Sequence, residues 1–438
     1  MDIGLMTASD KLKYEMRQSR DEGKDISRYE QIMKEIVALP AGEEKEARSL
    51  RCLDWMATLS PAQDYPYVEP SDWEGICAQM GDVLPAAPCV PDMDKILGAW
   101  QGRAAGCLLG KPFECVMSRE IRGYFGYEPG DPLPDFEYFR MTDALGCKPF
   151  EFRDFLSIEK LRGMPSDDDT NYTVLGDMML RRYGRDFTTM DMVSLWMSAI
   201  PAHRVCTAER VAYRNLLNLR YPPESATFRN PYREWIGAQI RADYFGYVNP
   251  GDPLSAAKMA FNDAAMTHTR NGIYGAMWVA ATLACALQTG DAVAAAQMGM
   301  AYIPQKSRLH EALSQAIDLY KGGAKWDEAM ETVRARWHEE DFFDWSHTIS
   351  NAVIVLNCLL YGGKDFGSTI GMGMLYGFDT DCNGATAGSI FGAAYGSSAI
   401  GEKWIFPLQD TLYTDIPNYY RVSLTHMARQ TLEMIKGE

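Results

Sequence analysis

The chain has 438 residues, 47% of them hydrophobic, and a formal net charge of −16. So acidic a chain lacks the basic surface that a general nucleic-acid binder, or a protein docking on anionic lipid, requires. Its apolar content excludes long disorder, and its length allows one large domain with an extension, or two domains.

The opening stretch, MDIGLMTASDKLKYEMRQSRDEGKD, contains no apolar segment of signal-peptide length. No window approaches the roughly 18 apolar residues of a membrane span. Ile26, Tyr29, Ile32, Met33, Ile36 and Val37 follow gaps of three and four and predict one helical face over 26–38. A second helix is expected over about 43–59. Six of the 22 prolines then fall between Pro61 and Pro91. Proline fixes φ and removes a donor, so this stretch reads as extended, with at most short helices. Residues 1–90 are therefore expected to form a helical extension and an irregular strap packed on a main body, 91–438.

From Lys95 onward the pattern is mostly helical, as at 190–200, 273–288, 308–320 and 350–361. Alternating polar and apolar runs are scarce, which predicts an all-α body. Ten scattered cysteines without a CxxC pair read as reduced thiols and a cytoplasmic setting. The segment YFGYEPGDPL at 124–133 recurs as YFGYVNPGDPL at 244–254, too short a match to establish a duplication.

Two glycine series are unusual: Gly98, Gly102, Gly106 and Gly110, then Gly384, Gly388, Gly392 and Gly396. Each repeats every four residues and forms a stripe along one helix face. Glycine costs about 0.5–1 kcal/mol relative to alanine inside a helix. Close backbone approach to a neighbouring helix is the physical reason to keep four in register. Gln101, Arg103 and the shortness of the first helix rule out a membrane setting, so both helices are expected deep in the bundle.

The run Ser166-Asp167-Asp168-Asp169-Thr170 precedes an apolar helical stretch. One aspartate suffices to cap a helix, whereas three in a row repel one another unless a positive charge sits among them. A hard cation with oxygen ligands is the candidate. Gly377-Phe378-Asp379-Thr380-Asp381-Cys382-Asn383 presents two further carboxylates before the second glycine helix. Only Cys382, and no histidine, accompanies these clusters, which argues against zinc and for Mg²⁺ or Ca²⁺. Glu114 follows the first glycine helix. Thr267-His268-Thr269-Arg270-Asn271-Gly272 opens an apolar helix, a place suited to anion or hydroxyl binding or to capping.

The segments GAWQGRAAGCLLGKPFE, DDDTNYTVLG and GFDTDCNGATAGSIFGAAYG resemble the signature blocks of the ADP-ribosylglycohydrolase family, in that family's order. HTRNGIYGAMWVAA resembles its central Asn-Gly block. The resemblance covers about 95–435. It implies a compact orthogonal all-α bundle with a two-Mg²⁺ site that removes ADP-ribose, or a related ribosyl group, from a protein side chain or small molecule. Carried over by position, the metal ligands are Asp167, Asp168, Asp169, Asp379, Asp381 and Cys382, and the acidic residue after the first helix is Glu114. Asp167 stands where the family commonly has Thr or Ser. Cys382 replaces an oxygen ligand, and sulfur is a poor ligand for Mg²⁺, which opens the site to Mn²⁺.

On this reading, cis hydroxyls of a ribose meet the cations, and positive charge develops at the anomeric carbon as a water attacks. Glu114 and Asp168 are the candidates for acid and base catalysis, with the assignment between them open. His268, Asn271 and the amides near Gly272 and Gly384 are candidates for a diphosphate, and an aromatic of the 244–247 segment for an adenine. The expected partner is an ADP-ribosylated protein or small molecule, with no nucleic acid and no membrane. Two alternatives stand beside it. One is a non-catalytic ADP-ribose-binding relative. The other is a Mg²⁺-dependent isoprenoid-diphosphate enzyme, although DDDTN lacks the DDxxD spacing.

Overall fold

The computed structural model describes residues 6–144, 148–150 and 153–437, and within them helices carry nearly all the regular structure. The chain opens with α1 (Ala8–Asp21), α2 (Glu30–Ala38) and α3 (Glu43–Ala57), followed by one short helix, α4 (Trp73–Gln79). Helix 26–38 of the sequence reading starts as a single 3-10 turn at Ser27–Tyr29 before α2. Leu12, Met16, Met33, Ile36, Leu53 and Met56 close a small core among α1, α2 and α3. The proline-rich strap is extended on both sides of α4, as its composition requires. Its backbone amides reach carbonyls of the body, Val68 to Lys306 at 2.9 Å and Ala87 to Gly251 at 2.8 Å.

The body continues with α5 (Met93–Gly110), α6 (Ser118–Phe125), α7 (Asp168–Tyr183), α8 (Thr189–Ala199), α9 (Thr207–Leu217), α10 (Glu224–Thr227), α11 (Asp243–Tyr247) and α12 (Pro253–Ala264). Then come α13 (Arg270–Thr289), α14 (Ala292–Gly299), α15 (Arg308–Lys321), α16 (Trp326–Arg336), α17 (Phe342–Ser346), α18 (Thr348–Gly362) and α19 (Phe366–Tyr376). The chain closes with α20 (Thr380–Tyr395), α21 (Glu402–Ile405) and α22 (Leu424–Lys436). The strands among the described residues are two short ones, Leu412–Tyr413 and Arg421–Val422, paired antiparallel. The chain is an all-α bundle.

Several helix starts carry side-chain caps. Asp92 accepts from Lys95 N at 3.0 Å, and Asp252, Ser307 and Ser423 do the same for α12, α15 and α22. Helix α13 is long and apolar enough to cross a membrane by length and composition, which the sequence reading did not expect of any segment. It is a core helix, with 89% of its most apolar window buried. The two YFGY segments fold differently. Gly126 ends α6 in the left-handed region, while Gly246 lies inside α11. All nine described cysteines are free.

The glycine stripes meet each other. A Cβ on Gly98 would lie 2.6 Å from the Gly392 carbonyl oxygen, and one on Gly384 would lie 2.5 Å from that of Gly106. Gly102 faces Gly388 in the same way, and Gly110 faces the backbone of Thr380 and Asp381. The two helices therefore run antiparallel, backbone against backbone. The C-terminal end of α5 touches the N-terminal end of α20, where the Thr380 hydroxyl donates to the Gly110 carbonyl at 2.9 Å. Gly102→Ala should destabilise the fold by about 2–3 kcal/mol, because the new methyl overpacks a rigid backbone contact. Gly123 in α6 has nothing within 4 Å of its would-be Cβ, so Gly123→Ala should be neutral or stabilising by about 0.5–1 kcal/mol. Urea unfolding of the two variants checks both signs.

Candidate active site

Two acid-bearing helix starts converge on the end of the glycine seam. Asp167 is the N-cap of α7 and accepts from Asp169 N at 3.0 Å, with Asp168 and Asp169 in the first turn. Asp379 occupies the N-cap position of α20, and Asp381 lies in its first turn, accepting from Cys382 N at 3.1 Å. Carboxylates at these places meet the positive ends of two helix dipoles. One ligand atom each of Asp169, Asp381 and Cys382 lie within 4.8 Å of one another, and so do those of Cys107, Asp167 and Asp169. Glu114, Asp168, Asp379, Asp381 and Cys382 line one cleft. The structure thus brings together all seven residues expected as metal ligands or acid–base groups.

Sequence reasoning missed the cations that hold this cluster. Arg103, fully buried in α5, donates through Nη2 to Asp169 Oδ1 at 3.1 Å and to the Asp169 carbonyl at 2.8 Å. Its Nη1 lies 2.9 Å from Asp243 Oδ2. Lys111, one residue past α5, pairs its ammonium with Asp167. The signal was present: Arg103 is the lone charge between Lys95 and Lys111 in an apolar helix, and a buried guanidinium demands acidic partners. Arg153 fixes the turn that carries Glu114, donating to the Pro112 carbonyl at 2.6 Å and the Glu114 carbonyl at 2.8 Å. Both acidic turns hold non-glycine residues in left-handed backbone, Cys115 at φ 59° and Phe378 at φ 56°. Such conformations persist where surrounding structure imposes them.

The charges do not balance. Burial opposes the ionised form of Asp167, but the Lys111 ammonium beside it holds its carboxyl below the usual range. The others go the opposite way. Burial and the charges of Asp167, Asp169, Asp381 and Glu114 push Asp168 well above the carboxylate range, and burial with Asp381 does so for Asp379. Glu114 is pushed up to about 8 by the Asp381 charge and by burial. Burial raises Asp169 and Asp381 too, even with Arg103 beside the former and Lys111 near the latter. Two fixed cations thus serve six acids, and a divalent cation with oxygen ligands fits the donor set that is left.

The cleft holds about 120 Å³, and its other wall is aromatic, built from Trp235, Phe342 and Trp345. Phe342 and Trp345 stack at 5.3 Å and 15°. Glu209, also in the lining, is pushed up to about 7 by burial despite its 2.6 Å pairing with Arg241. None of these four residues carries a local sequence signal.

The residues expected to bind substrate lie elsewhere. His268 is buried behind the cleft wall, its Nδ1 2.7 Å from Thr267 Oγ1 and its Nε2 3.9 Å from Glu209. Asn271 ties the strap to the body, donating to Glu69 at 2.8 Å and accepting from Leu309 N at 3.0 Å. A Cβ at Gly272 would lie 2.5 Å from the Arg233 carbonyl, so this glycine serves close packing. Gly384 lies one turn inside α20 against Gly106, where its amide belongs to the helix rather than to a ligand. Tyr244 and Tyr247 are core residues, with hydroxyls on Asp177 at 2.7 Å and Ser389 at 2.6 Å, and cannot stack on an adenine.

The chain belongs to the ADP-ribosylglycohydrolase family, whose model matches residues 90–436. It is also similar to a solved structure described as an ADP-ribosylglycohydrolase-related protein complex. That match is 20% identical, covers 78% of this chain and 98% of the other, and has a TM-score of 0.43. No curated protein matches the sequence.

The raised carboxyls set a pH dependence. A group whose folded pKa lies above its unfolded value contributes stability at low pH and loses it as pH rises through the folded pKa. Without divalent cations the thermal midpoint should fall between about pH 5, near the ordinary carboxylate range, and pH about 8, where Glu114 ionises. Added Mg²⁺ or Mn²⁺ should raise the midpoint more at the upper pH, since bound cations displace protons. Thermal scans in chelator and in metal at both pH values check this. A metal shift that shrinks toward high pH would contradict it.

Proposed function

We propose that the chain is a divalent-cation-dependent hydrolase that cleaves the anomeric bond of an ADP-ribosyl, or related ribosyl, group on a protein side chain or small molecule. The observation that carries this reading is the convergence of Asp167, Asp168 and Asp169 with Asp379 and Asp381 beside one cleft. Family membership supports the hydrolase class and argues against the isoprenoid-diphosphate alternative.

Asp168, Asp379 and Asp381 would hold the cations, with Asp167 and Asp169 shared between them and the two basic residues. Bound there, a divalent cation supplies Lewis acidity and positive charge to ribose hydroxyls. The chain supplies the rest. The acidic wall stabilises positive charge developing at the anomeric carbon. Glu114 and Asp168 handle the protons, because both line the cleft and neither is engaged by a lysine or arginine among the described ion pairs. One protonates the leaving atom and the other accepts a proton from the attacking water. A second reading, binding of ADP-ribose without turnover, rests on Cys382, a thiol among the oxygens of the cluster.

Glu114→Gln should lose about 100-fold or more in turnover while the fold is retained, read as free ADP-ribose released from an ADP-ribosylated protein and from a small ribosyl substrate. Asp381→Asn should abolish calorimetric binding of Mg²⁺. Near-normal turnover in the first variant removes Glu114 from the mechanism, and ADP-ribose binding without any release selects the second reading. Cys382→Thr restores an oxygen donor and should tighten Mg²⁺ relative to Mn²⁺. An unchanged preference between the two ions would take the thiol out of the coordination.

A further inference from the structure

We propose that helix α1, in the N-terminal extension, is part of the substrate site: it positions the aromatic wall of the cleft, which receives a flat ring of the ribosyl substrate. This rests on the functional reading above and adds to it a specificity element outside the matched family region.

The wall comes from two segments, 232–236 and 342–346, and α1 grips both. On the first, Arg233 is buried and its ion pairs are with the extension's acids, while Nη1 also donates to the Asn230 carbonyl at 2.9 Å. It donates to Glu15 at 2.7 and 2.9 Å and to Glu22 at 2.7 Å. Two residues on, Trp235 lines the cleft, and Tyr14 meets its ring edge-on at 5.4 Å. On the second, Arg17 reaches Asp344 at 3.3 Å and lies over the Phe343 ring at 5.5 Å. Phe343 and Phe342 in turn pack on Trp235 at 5.9 and 5.5 Å.

Tyr14, Trp235 and Phe343 thus form one apolar cluster that spans extension and body. The cluster has the cleft on one side and α1 on the other. The wall faces carboxylates, so the cleft has a polar end suited to a sugar and an aromatic end suited to a planar ring. The buried indole N–H of Trp235 has no acceptor among the described residues. The body fixes the Trp235 backbone, through its bridge to His347 and the Thr348 hydroxyl that donates to its carbonyl at 2.8 Å, but the ring is braced from behind only by aromatics of α1 and of the five-residue α17. Helix α1 touches side chains of both segments, which makes Tyr14 a positioning residue for the Trp235 ring.

The test uses the full chain with Tyr14→Leu, which keeps an apolar side chain but removes the edge contact. The control is Tyr29→Leu, which loosens the extension at its own Tyr29–Trp55 pair (4.8 Å apart) without touching the wall. Two readouts are taken with Mg²⁺ present: amide hydrogen exchange over 232–236 and 342–346, and calorimetric affinity for ADP-ribose and for ribose 5-phosphate. Tyr14→Leu should speed exchange in both segments and weaken ADP-ribose about three- to ten-fold, the worth of one aromatic contact. Ribose 5-phosphate, which has no planar base, should bind unchanged, and the control should change neither. The proposal is overturned by unchanged ADP-ribose affinity, by equal losses for the two ligands, or by the same effect in Tyr29→Leu. A wild-type chain that binds ADP-ribose but releases none from any substrate overturns the hydrolase reading, while the affinities still decide this one. A wild-type chain that binds no ADP-ribose overturns both.

Discussion

Backbone contact between α5 and α20 is the constraint on which the site depends. Side chains larger than hydrogen at the facing positions would hold the two helices apart. With glycine, the carbonyls of one helix rest against the α-carbons of the other, and the antiparallel direction puts the end of α5 at the start of α20. Glu114 leaves the first and Asp379 and Asp381 enter the second, so residues far apart in sequence share one cleft without a dedicated loop to bring them there. Arg103 extends the same logic sideways. Rooted in the seam, it reaches Asp169 and fixes the start of α7 beside the other two.

What this packing assembles is electrostatically costly. Six acids gather where water is scarce, and the compensation built into the chain is partial: one guanidinium, one ammonium and two helix N-termini. A site that leaves charge uncompensated is poised for a ligand that brings the missing sign. The same imbalance explains why Asp167 and Asp168, adjacent in sequence, titrate in opposite directions. One has Lys111, and the other has only carboxylates for neighbours.

Much of this was legible in the sequence because the signals are local and periodic. The four-residue glycine spacing named both seam helices, and the aspartate runs marked the two helix starts. The proline density foretold the strap. The residues that sequence leaves ambiguous share a cause. His268, Asn271, Gly272 and Gly384 are polar or small residues near helix starts, which suit either binding or packing, and sequence cannot separate the two. In the fold Asn271 holds Glu69 of the strap, and Gly384 is a seam position. Tyr244 and Tyr247 have polar tips satisfied inside the core, which only tertiary structure reveals. Trp235, Phe342 and Trp345 escaped notice for a complementary reason. They form a wall only because 232–236 and 342–346 come together in space.

The buried acids of the first ninety residues impose an order on biosynthesis. Glu15 and Glu22 close on Arg233, and Glu69 closes on Arg308 with contacts of 2.8–3.2 Å. Arg233 follows Glu15 by 218 residues and Glu22 by 211, and at about 5–20 residues per second of synthesis these acids wait some seconds for their counter-charge. Until then these carboxylates stay hydrated, while Leu12, Met16, Met33, Ile36, Leu53 and Met56 can close their own small core. The extension is thus locked in place only once the body that carries its counter-charges has been made.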